Sequence, residues 1–177
     1  MQLWNVPKKE SGFTLVEMLA AAVVVGILTA LATPSLTGML HRSRITDGTA
    51  KIVGAIKEAQ KLAVRNSRAC SIDIAPNGSG VFVVQTAAGS NPCLSDIREL
   101  HESLTVASSD AVTQISISSK GNIDYTNGGA NPTAVSPREF TISHDVLTTN
   151  DRCVRIEGIF GNVESGLVIN GVCDTDL

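Results

Sequence analysis

Hydrophobic and polar positions predict one long helix of two characters at the start of the chain. Residues 18–40 include no charged side chain over 23 positions, enough for a membrane-spanning helix, which needs roughly 20 residues. Farther along, apolar residues recur at spacings typical of one face of an amphipathic helix. These residues are Ile45, Ile52, Ile56, Ala59 and Ala63. We therefore predict one helix from Phe13 to about Asn66, with a kink at Pro34, which lacks an amide donor.

After Asn66 the pattern changes to short segments that alternate between apolar and polar residues, the period of half-buried strands. These segments are Ser71–Ala75, Val81–Gln85, Gln114–Ser118, Ile123–Tyr125, Glu139–Ile142 and Val154–Glu157. The first two flank the turn Pro76–Gly80 and predict a β-hairpin, and residues 158–163 predict a further turn-bearing pair. Leu100–Val106 is ambiguous, and Asn127–Pro137, rich in Gly, Pro, Ala and Asn, predicts a long loop.

The order of these elements predicts an α+β fold. An amphipathic helix must bury its apolar face against another element, so we expect Ile52, Ile56 and Ala59 to pack on an antiparallel β-sheet head. The sequence shows no internal repeat and no linker that would separate two domains. Its 177 residues are enough for one such head with a core of its own.

Composition favours an exported head without a cofactor. The formal net charge is −3, and a mildly acidic chain does not indicate nucleic-acid binding. Four cysteines follow the apolar stretch, and an even number in an exported domain indicates two disulfides. We favour Cys70–Cys93 and Cys153–Cys173, because both pairs close short loops, with free buried thiols as the alternative. The cysteine and histidine spacings do not indicate a zinc site, and we expect neither a metal nor a cofactor.

The stretch Gly12–Glu17 (GFTLVE) stands directly before the uncharged residues and behind a short leader that contains Lys8-Lys9. Together with Pro34 inside the apolar run, it resembles the N-terminal region of type IV pilins, a family that includes the pseudopilins of type II secretion. The resemblance implies that a prepilin peptidase cuts after Gly12. It also implies that the same enzyme methylates the new N-terminal amine, on Phe13.

Glu17 is a carboxylate at the head of an apolar helix, where an unpaired charge is costly in lipid. The resemblance implies that it pairs with the methylated N-terminal amine of a neighbouring subunit as helices bundle into a filament. Opposite charges attract strongly in a medium of low dielectric constant, whereas an unpaired charge there is heavily penalised. Glu17 would then select the register at which a new subunit docks. The alternative is a helix-cap carboxylate near an interface.

The resemblance divides the chain into a leader (residues 1–12), a membrane-spanning and filament-core half-helix (13–40) and an exported head (41–177). It implies a single-pass protein of the bacterial inner membrane with a periplasmic head, which later joins a pilus or pseudopilus. A long helix followed by an all-β head is similar to the GspH/FimT branch, as are the helix end Ala59–Asn66 and the turn Lys120–Ile123. The implied function is that of a minor pilin or pseudopilin. Its partners would be the prepilin peptidase, the inner membrane and other pilin or pseudopilin subunits.

An enzyme is not expected, because no nucleophile or Cys/His signature surrounds the scattered residues His41, His101 and His144. Solvated or core histidines are the default interpretation. The tail carboxylates Asp174 and Asp176 lack the spacing of an EF-hand, which favours a solvated tail.

Two alternatives to a structural pilin remain open at this point. Some FimT-type proteins are DNA-uptake pilins with basic residues after a late glycine. Gly161–Glu164 places an acidic residue there, although Arg138, Arg152 and Arg155 could form a small basic patch. The other alternative is a secreted soluble β-domain, released by a signal peptidase at Ala30–Ala32. Glu17 argues against it, because a charge interrupts the start of the apolar region.

Overall fold

One long helix, α1, covers Leu15–Asn66 in the computed structural model. The structure describes residues 12–109, 113–124, 137–158 and 160–176, apart from the side chains of residues 31–35, 124 and 147–149. The chain divides into two compact units, Met1–Met39 and Leu40–Leu177. The predicted helix from Phe13 to about Asn66 is thus confirmed. It begins two residues later than predicted, at Leu15, and it ends at Asn66.

A defined cap ends α1 at Asn66. Ser67 has a positive φ of 49°, the left-handed conformation that commonly follows the last helical residue. Its amide donates to the carbonyl of Val64 at 3.1 Å, and the amide of Arg68 donates to that of Ala63 at 3.1 Å. These two bonds are the Schellman pattern, which satisfies the last carbonyls and reverses the chain. The chain therefore turns sharply out of the helix into its first strand.

Ten strands follow α1 in the described residues and form two antiparallel sheets. They are β1 Cys70–Pro76, β2 Phe82–Thr86, β3 Arg98–Glu99, β4 Leu104–Ser108, β5 Gln114–Ile117, β6 Ile123–Asp124, β7 Arg138–His144, β8 Leu147–Glu157, β9 Asn162–Ile169 and β10 Val172–Asp174. The first sheet has the order β3-β2-β1-β5-β6, and the second has the order β10-β9-β8-β7-β4. The α+β class and the antiparallel pairing are confirmed. The head contains two sheets, however, whereas the sequence predicts a single antiparallel sheet arrangement.

The differences between the predicted and observed strands lie mainly at the sheet edges. The segment that was ambiguous contains β4, which begins at Leu104. Strand β8 begins at Leu147, seven residues before the predicted Val154. Strands β3 and β10 are missing from the prediction because they have only two and three residues. The turn-bearing pair predicted at residues 158–163 corresponds to the antiparallel strands β8 and β9, although β9 extends beyond the prediction to Ile169. Most of the predicted loop Asn127–Pro137 lies outside the described residues.

The core of the Leu40–Leu177 unit lies between the apolar stripe of α1 and both sheets. The stripe contributes Ile45, Ile52, Ala55, Ile56, Ala59 and Ala63, all buried. Opposite it lie Ile72 and Ile115 of the first sheet and Ile142 of the second. The predicted packing of Ile52, Ile56 and Ala59 on strands is therefore confirmed. Gly48 allows a close approach, since a Cβ there would lie 2.7 Å from Cδ1 of Leu104.

Polar side chains of α1 tie the helix to the strands and turns around it. Glu58 accepts hydrogen bonds from the amide and the hydroxyl of Ser95, at 2.9 and 2.7 Å, and pairs with Arg98. The Ser95 hydrogen bonds and the charge of Arg98 hold the pKa of Glu58 below its usual value. Nε2 of Gln60 lies within 3.3 Å of the carbonyls of Gly121, Phe160 and Gly161. Gln60 thus connects the helix to one turn of each sheet.

Replacement of Gln60 by alanine is expected to lower the free energy of unfolding by about 1 kcal/mol, the usual net worth of a hydrogen bond. The loss arises because carbonyls in both turns would lose a donor from the helix. Urea denaturation of the full chain in detergent micelles would measure it. Lys61→Ala is the matched control, since Lys61 is the exposed neighbour on the same helix. Equal stability of the two variants would show that Gln60 does not hold the turns.

Two disulfides brace the head, and they join the pairs favoured by the sequence. Cys70 of β1 bonds to Cys93, with Cα atoms 5.8 Å apart. Cys153 of β8 bonds to Cys173 of β10, with Cα atoms 5.7 Å apart, although β9 lies between these strands in the sheet. Gly166 of β9 is opposite Cys153, and a Cβ there would run into the backbone of Asp174 and Thr175. The missing side chain lets β10 fold over β9 to reach β8.

Removal of the second disulfide by the double replacement Cys153→Ala and Cys173→Ala is expected to cost about 2–4 kcal/mol of unfolding free energy. The cost comes mainly from the conformational entropy that the unfolded chain regains when the disulfide no longer closes the loop between Cys153 and Cys173, a separation of 20 residues. Urea denaturation of the oxidised proteins would measure it. The matched comparison is Cys70→Ala with Cys93→Ala, which opens a similar separation of 23 residues. Four alkylatable thiols in the native protein would contradict both bonds.

Candidate processing and assembly site

The Gly12–Phe13 peptide bond precedes the helix and is open to solvent. Gly12, Phe13 and Thr14 are exposed and lie outside any helix or strand, and Phe13 is 77% exposed. A Cβ built on Gly12 would meet nothing within 4 Å, and its backbone is not in the left-handed region. The described fold itself therefore does not require glycine at this position. A requirement for glycine here would have to come from a partner that contacts the chain at this bond.

Thr14 caps the start of α1. Its hydroxyl oxygen accepts from the amide of Glu17 at 3.3 Å, and its carbonyl accepts from the amide of Met18 at 3.2 Å. The pattern Thr14-x-x-Glu17 is that of a capping box, and a carboxylate in the first turn also interacts favourably with the helix dipole. Glu17 is exposed. Its carboxylate therefore has a local role at the helix start and stays accessible to a further partner.

The Met1–Met39 unit exposes a long run of apolar side chains. At least half of each one is accessible: Phe13, Leu15, Val16, Met18, Leu19, Val23, Val24, Val25, Ile27, Leu28, Leu36 and Met39. An exposed apolar surface of this extent is rare on a soluble monomer and marks an interaction with a membrane or with protein.

Within the described residues, no helix meets the combined length and hydropathy of a membrane span. The predicted span, residues 13–40, and the predicted kink at Pro34 include residues 31–35, whose side chains lie outside the described part. Both stay predictions.

Two of the three arginines of the alternative DNA-binding interpretation, Arg138 and Arg155, are buried or paired with carboxylates. Arg138 is only 3% exposed, and its Nη1 donates to the carbonyl of Gln114 at 3.2 Å. Arg155 forms an ion pair with Glu139 at 2.8 Å and with Glu157 at 3.4 Å. The hydrogen bond from Arg155 to Glu139 raises the pKa of Arg155 above its usual value. Buried or neutralised arginines contribute little to the attraction of a phosphate backbone.

All three histidines of the chain meet at one place in the head, which the sequence analysis missed. Nδ1 of His41 lies 2.9 Å from Nε2 of His144, and Oγ of Ser103 lies 3.0 Å from the same atom. Nδ1 of His101 lies 2.8 Å from Oγ of Ser103. His144 is 4% exposed, and burial lowers its pKa below the ordinary value, with the charge of His41 as the next cause. No sequence spacing indicates this cluster, since its members come from α1, the segment before β4 and the end of β7.

The N-terminal part of the chain matches a known sequence motif. Residues 7–33 match the model of the prokaryotic N-terminal methylation motif. No curated protein sequence matches the chain at a significant level.

Two crystal structures of the type IV minor pilin FimU from Pseudomonas aeruginosa PAO1 are similar to this fold. One has a TM-score of 0.52 at 17% identity and covers 71% of this chain and 90% of its own. The other has a TM-score of 0.49 at 17% identity and covers 68% of this chain and 90% of its own. At this identity the likeness concerns the fold, whereas the motif concerns the N-terminal segment. The chain thus matches the methylation motif at the head of a long helix, and its fold is similar to that of a type IV minor pilin.

Proposed function

We propose that this chain is a minor pilin or pseudopilin, a structural subunit of a type IV pilus or a type II secretion filament. One observation carries the proposal: the methylation motif at residues 7–33 leads into a helix whose apolar side chains are exposed. A motif of this kind supplies a processing site, and an apolar helix supplies the surface for assembly. The order of helix and β-head agrees with the GspH/FimT branch.

The processing step that we propose is cleavage of the Gly12–Phe13 bond by a prepilin peptidase, followed by methylation of the Phe13 amine. Exposure of both residues supports access by an enzyme. The open space around Gly12 supports the same view, because glycine at this position serves no purpose in the described fold. A side chain beside the scissile bond would then be excluded by the peptidase.

The assembly step that we propose pairs Glu17 with the methylated amine of a neighbouring subunit. The helix would remain in the inner membrane until assembly and then enter the filament. Lipid would cover its apolar residues before assembly, and neighbouring subunits would cover them afterwards. Glu17 is exposed in the first helical turn, so its carboxylate can reach a second chain. The head would be periplasmic, which agrees with its two disulfides, since such bonds persist in oxidising compartments.

FimU is a type IV minor pilin, and the likeness of its fold to this one supports the choice of a minor pilin. The role is structural, and the site described above contains no constellation to which we assign catalysis. DNA binding is the weaker candidate, since Arg138 is buried and Arg155 is paired with carboxylates. A salt-dependent gel shift with the full chain would favour it instead, because phosphate contacts weaken steeply with salt.

Filaments sheared from cells that express the chain with a C-terminal tag would test the proposal. We expect the tagged chain in the sheared or intramembrane filament fraction, with methylated Phe13 as its first residue by mass spectrometry. A mature chain that begins at Thr33 and is found free in the periplasm would refute the proposal and favour a secreted soluble domain. Processing at Phe13 without recovery in any filament would refute the assembly role alone.

A further inference from the structure

The three histidines connect elements that are far apart in the chain. His41 lies in α1, near the start of the Leu40–Leu177 unit, and His144 is the last residue of β7. Ser103 and His101 lie in the segment just before β4. The carbonyl of Ser103 also accepts from the amide of Asp145 at 3.3 Å, beside His144. The cluster therefore joins the helix to the β4–β7 edge of the second sheet.

Backbone amides decide which ring nitrogens carry protons, because an amide N–H can only donate. The amide of Val146 points at Nδ1 of His144, at 3.2 Å, so this nitrogen accepts. A neutral ring then carries its proton on Nε2, which faces Nδ1 of His41 and the hydroxyl of Ser103. Nδ1 of His41 accordingly accepts as well.

A backbone amide also determines which nitrogen of His101 is an acceptor. Its Nδ1 faces both the amide of Ser103, at 3.2 Å, and the hydroxyl of Ser103, at 2.8 Å. The amide makes this nitrogen an acceptor, so the hydroxyl donates to it and in turn accepts from His144. Every Nδ1 atom in the cluster is thus an acceptor, and the network is complete when all three rings are neutral.

A metal ion does not fit this arrangement. A metal on Nε2 of His144 would require a proton on Nδ1, directly against the Val146 amide. Among the described residues, no group of three or more His, Cys, Asp or Glu side chains is placed to hold a metal.

An added proton instead breaks the network at whichever ring receives it. A proton on Nδ1 of His144 would face the Val146 amide, and one on Nδ1 of His101 would face the Ser103 amide. A proton on Nδ1 of His41 would face the Nε2 proton of His144. Of the charged groups around His144, Arg44 of α1 opposes its protonation, as do His41 and His101, whereas Asp145, next to β7, favours it.

We propose that this cluster is an acid-sensitive latch, which holds the start of the head part of α1 on the β4–β7 edge when its rings are neutral and releases it when they are protonated. The direction follows from the linkage between proton binding and stability. The pKa of His144 is lower in the folded head than in an open chain. The open state therefore binds more protons as the pH falls below about 6.5, so the latch is closed above that value and weakens below it.

Nuclear magnetic resonance of the imidazole nitrogens can test the latch in the full chain, held in detergent micelles. The chain contains three histidines in all, so every imidazole resonance reports on the cluster. At pH 7.5 we expect the proton of each ring on Nε2, and we expect His144 to titrate below the ordinary value for histidine. A proton on Nδ1 of His144, or a titration at or above the ordinary value, would overturn the proposal.

Amide hydrogen exchange, corrected for intrinsic rates, gives the second measurement. Between pH 7.5 and 5.5, protection of the amides at residues 43–49 should fall several-fold, while that of β1 and β2 should stay constant. His144→Gln, which removes the ring whose pKa is lowered, should make the protection of residues 43–49 much less dependent on pH. Thr105→Ala, at an exposed position of β4, is the matched control that should leave the pH dependence unchanged. Equal protection at both pH values in the unsubstituted chain would refute the latch, whether or not the variant folds.

Discussion

Replacement of Gly12 by valine is expected to abolish cleavage and leave the full-length precursor in the membrane. A Cβ at Gly12 meets nothing in the described structure, so the fold and the helix start should survive. The branched side chain would instead obstruct the bond that the peptidase must reach, between residues 12 and 13. The ratio of precursor to mature chain on a gel, with the N-terminus identified by mass spectrometry, measures the effect.

Gly26→Val is the matched control for this experiment. Gly26 also lies in the Met1–Met39 unit, and a Cβ there likewise meets nothing within 4 Å. It differs from Gly12 in its distance from the cleaved bond. Normal processing of Gly26→Val beside blocked processing of Gly12→Val would assign the effect to the cleavage site. Normal processing of both variants would contradict cleavage after Gly12.

Replacement of Glu17 by alanine is expected to leave insertion and cleavage largely intact but to remove the chain from the filament fraction. Loss of one partner from a buried ion pair costs about 3–5 kcal/mol, which corresponds to a loss of at least about a hundredfold in an association constant. Quantitative immunoblots of sheared filaments, normalised to the mature chain in the membrane, measure this loss.

Glu17→Gln separates assembly from helix capping. Glutamine has nearly the same shape and also serves in a capping box, but it carries no charge. If Glu17 pairs with a neighbour's amine, Glu17→Gln should be lost from filaments almost as completely as Glu17→Ala. If Glu17 only caps the helix, Glu17→Gln should assemble normally and Glu17→Ala only slightly less well. Unchanged incorporation of both variants would show that assembly needs neither the charge of Glu17 nor its role as a helix cap.

The helix and the strands with regular patterns were predictable because their patterns are local. The apolar stripe of α1 has the period of a helix, and the same residues are buried in the structure. Strands β1, β5 and β7 alternate in burial as they do in sequence, whereas β2 buries the consecutive residues Val83 and Val84. The edge strands β3 and β10 are too short for a pattern, and β9 contains Gly166, whose role appears only when β10 is folded over it.

The candidate functional residues differ in the same way in how far the sequence predicts them. Gly12, Phe13 and Glu17 are close together in sequence, and their chemistry depends on order along the chain and on the apolar run that follows. They were therefore identifiable without a structure. The three arginines lie on the adjacent strands β7 and β8, where Arg155 is opposite Glu139. Whether they attract an anion depends on the burial of Arg138 and on the carboxylates beside Arg155. Sequence alone could not determine either.

By itself, the sequence determined the N-terminal motif, the helix and its apolar stripe, the α+β class and the candidate processing and assembly residues. Each of these depends on spacings of a few residues, which the backbone period converts directly into one face of an element. The tertiary structure decided the division into two sheets, the passage of the second disulfide over Gly166, and the meeting of the three histidines. These depend on contacts between residues up to 103 positions apart, such as His41 and His144. Only the packing of the helix on both sheets brings such residues together.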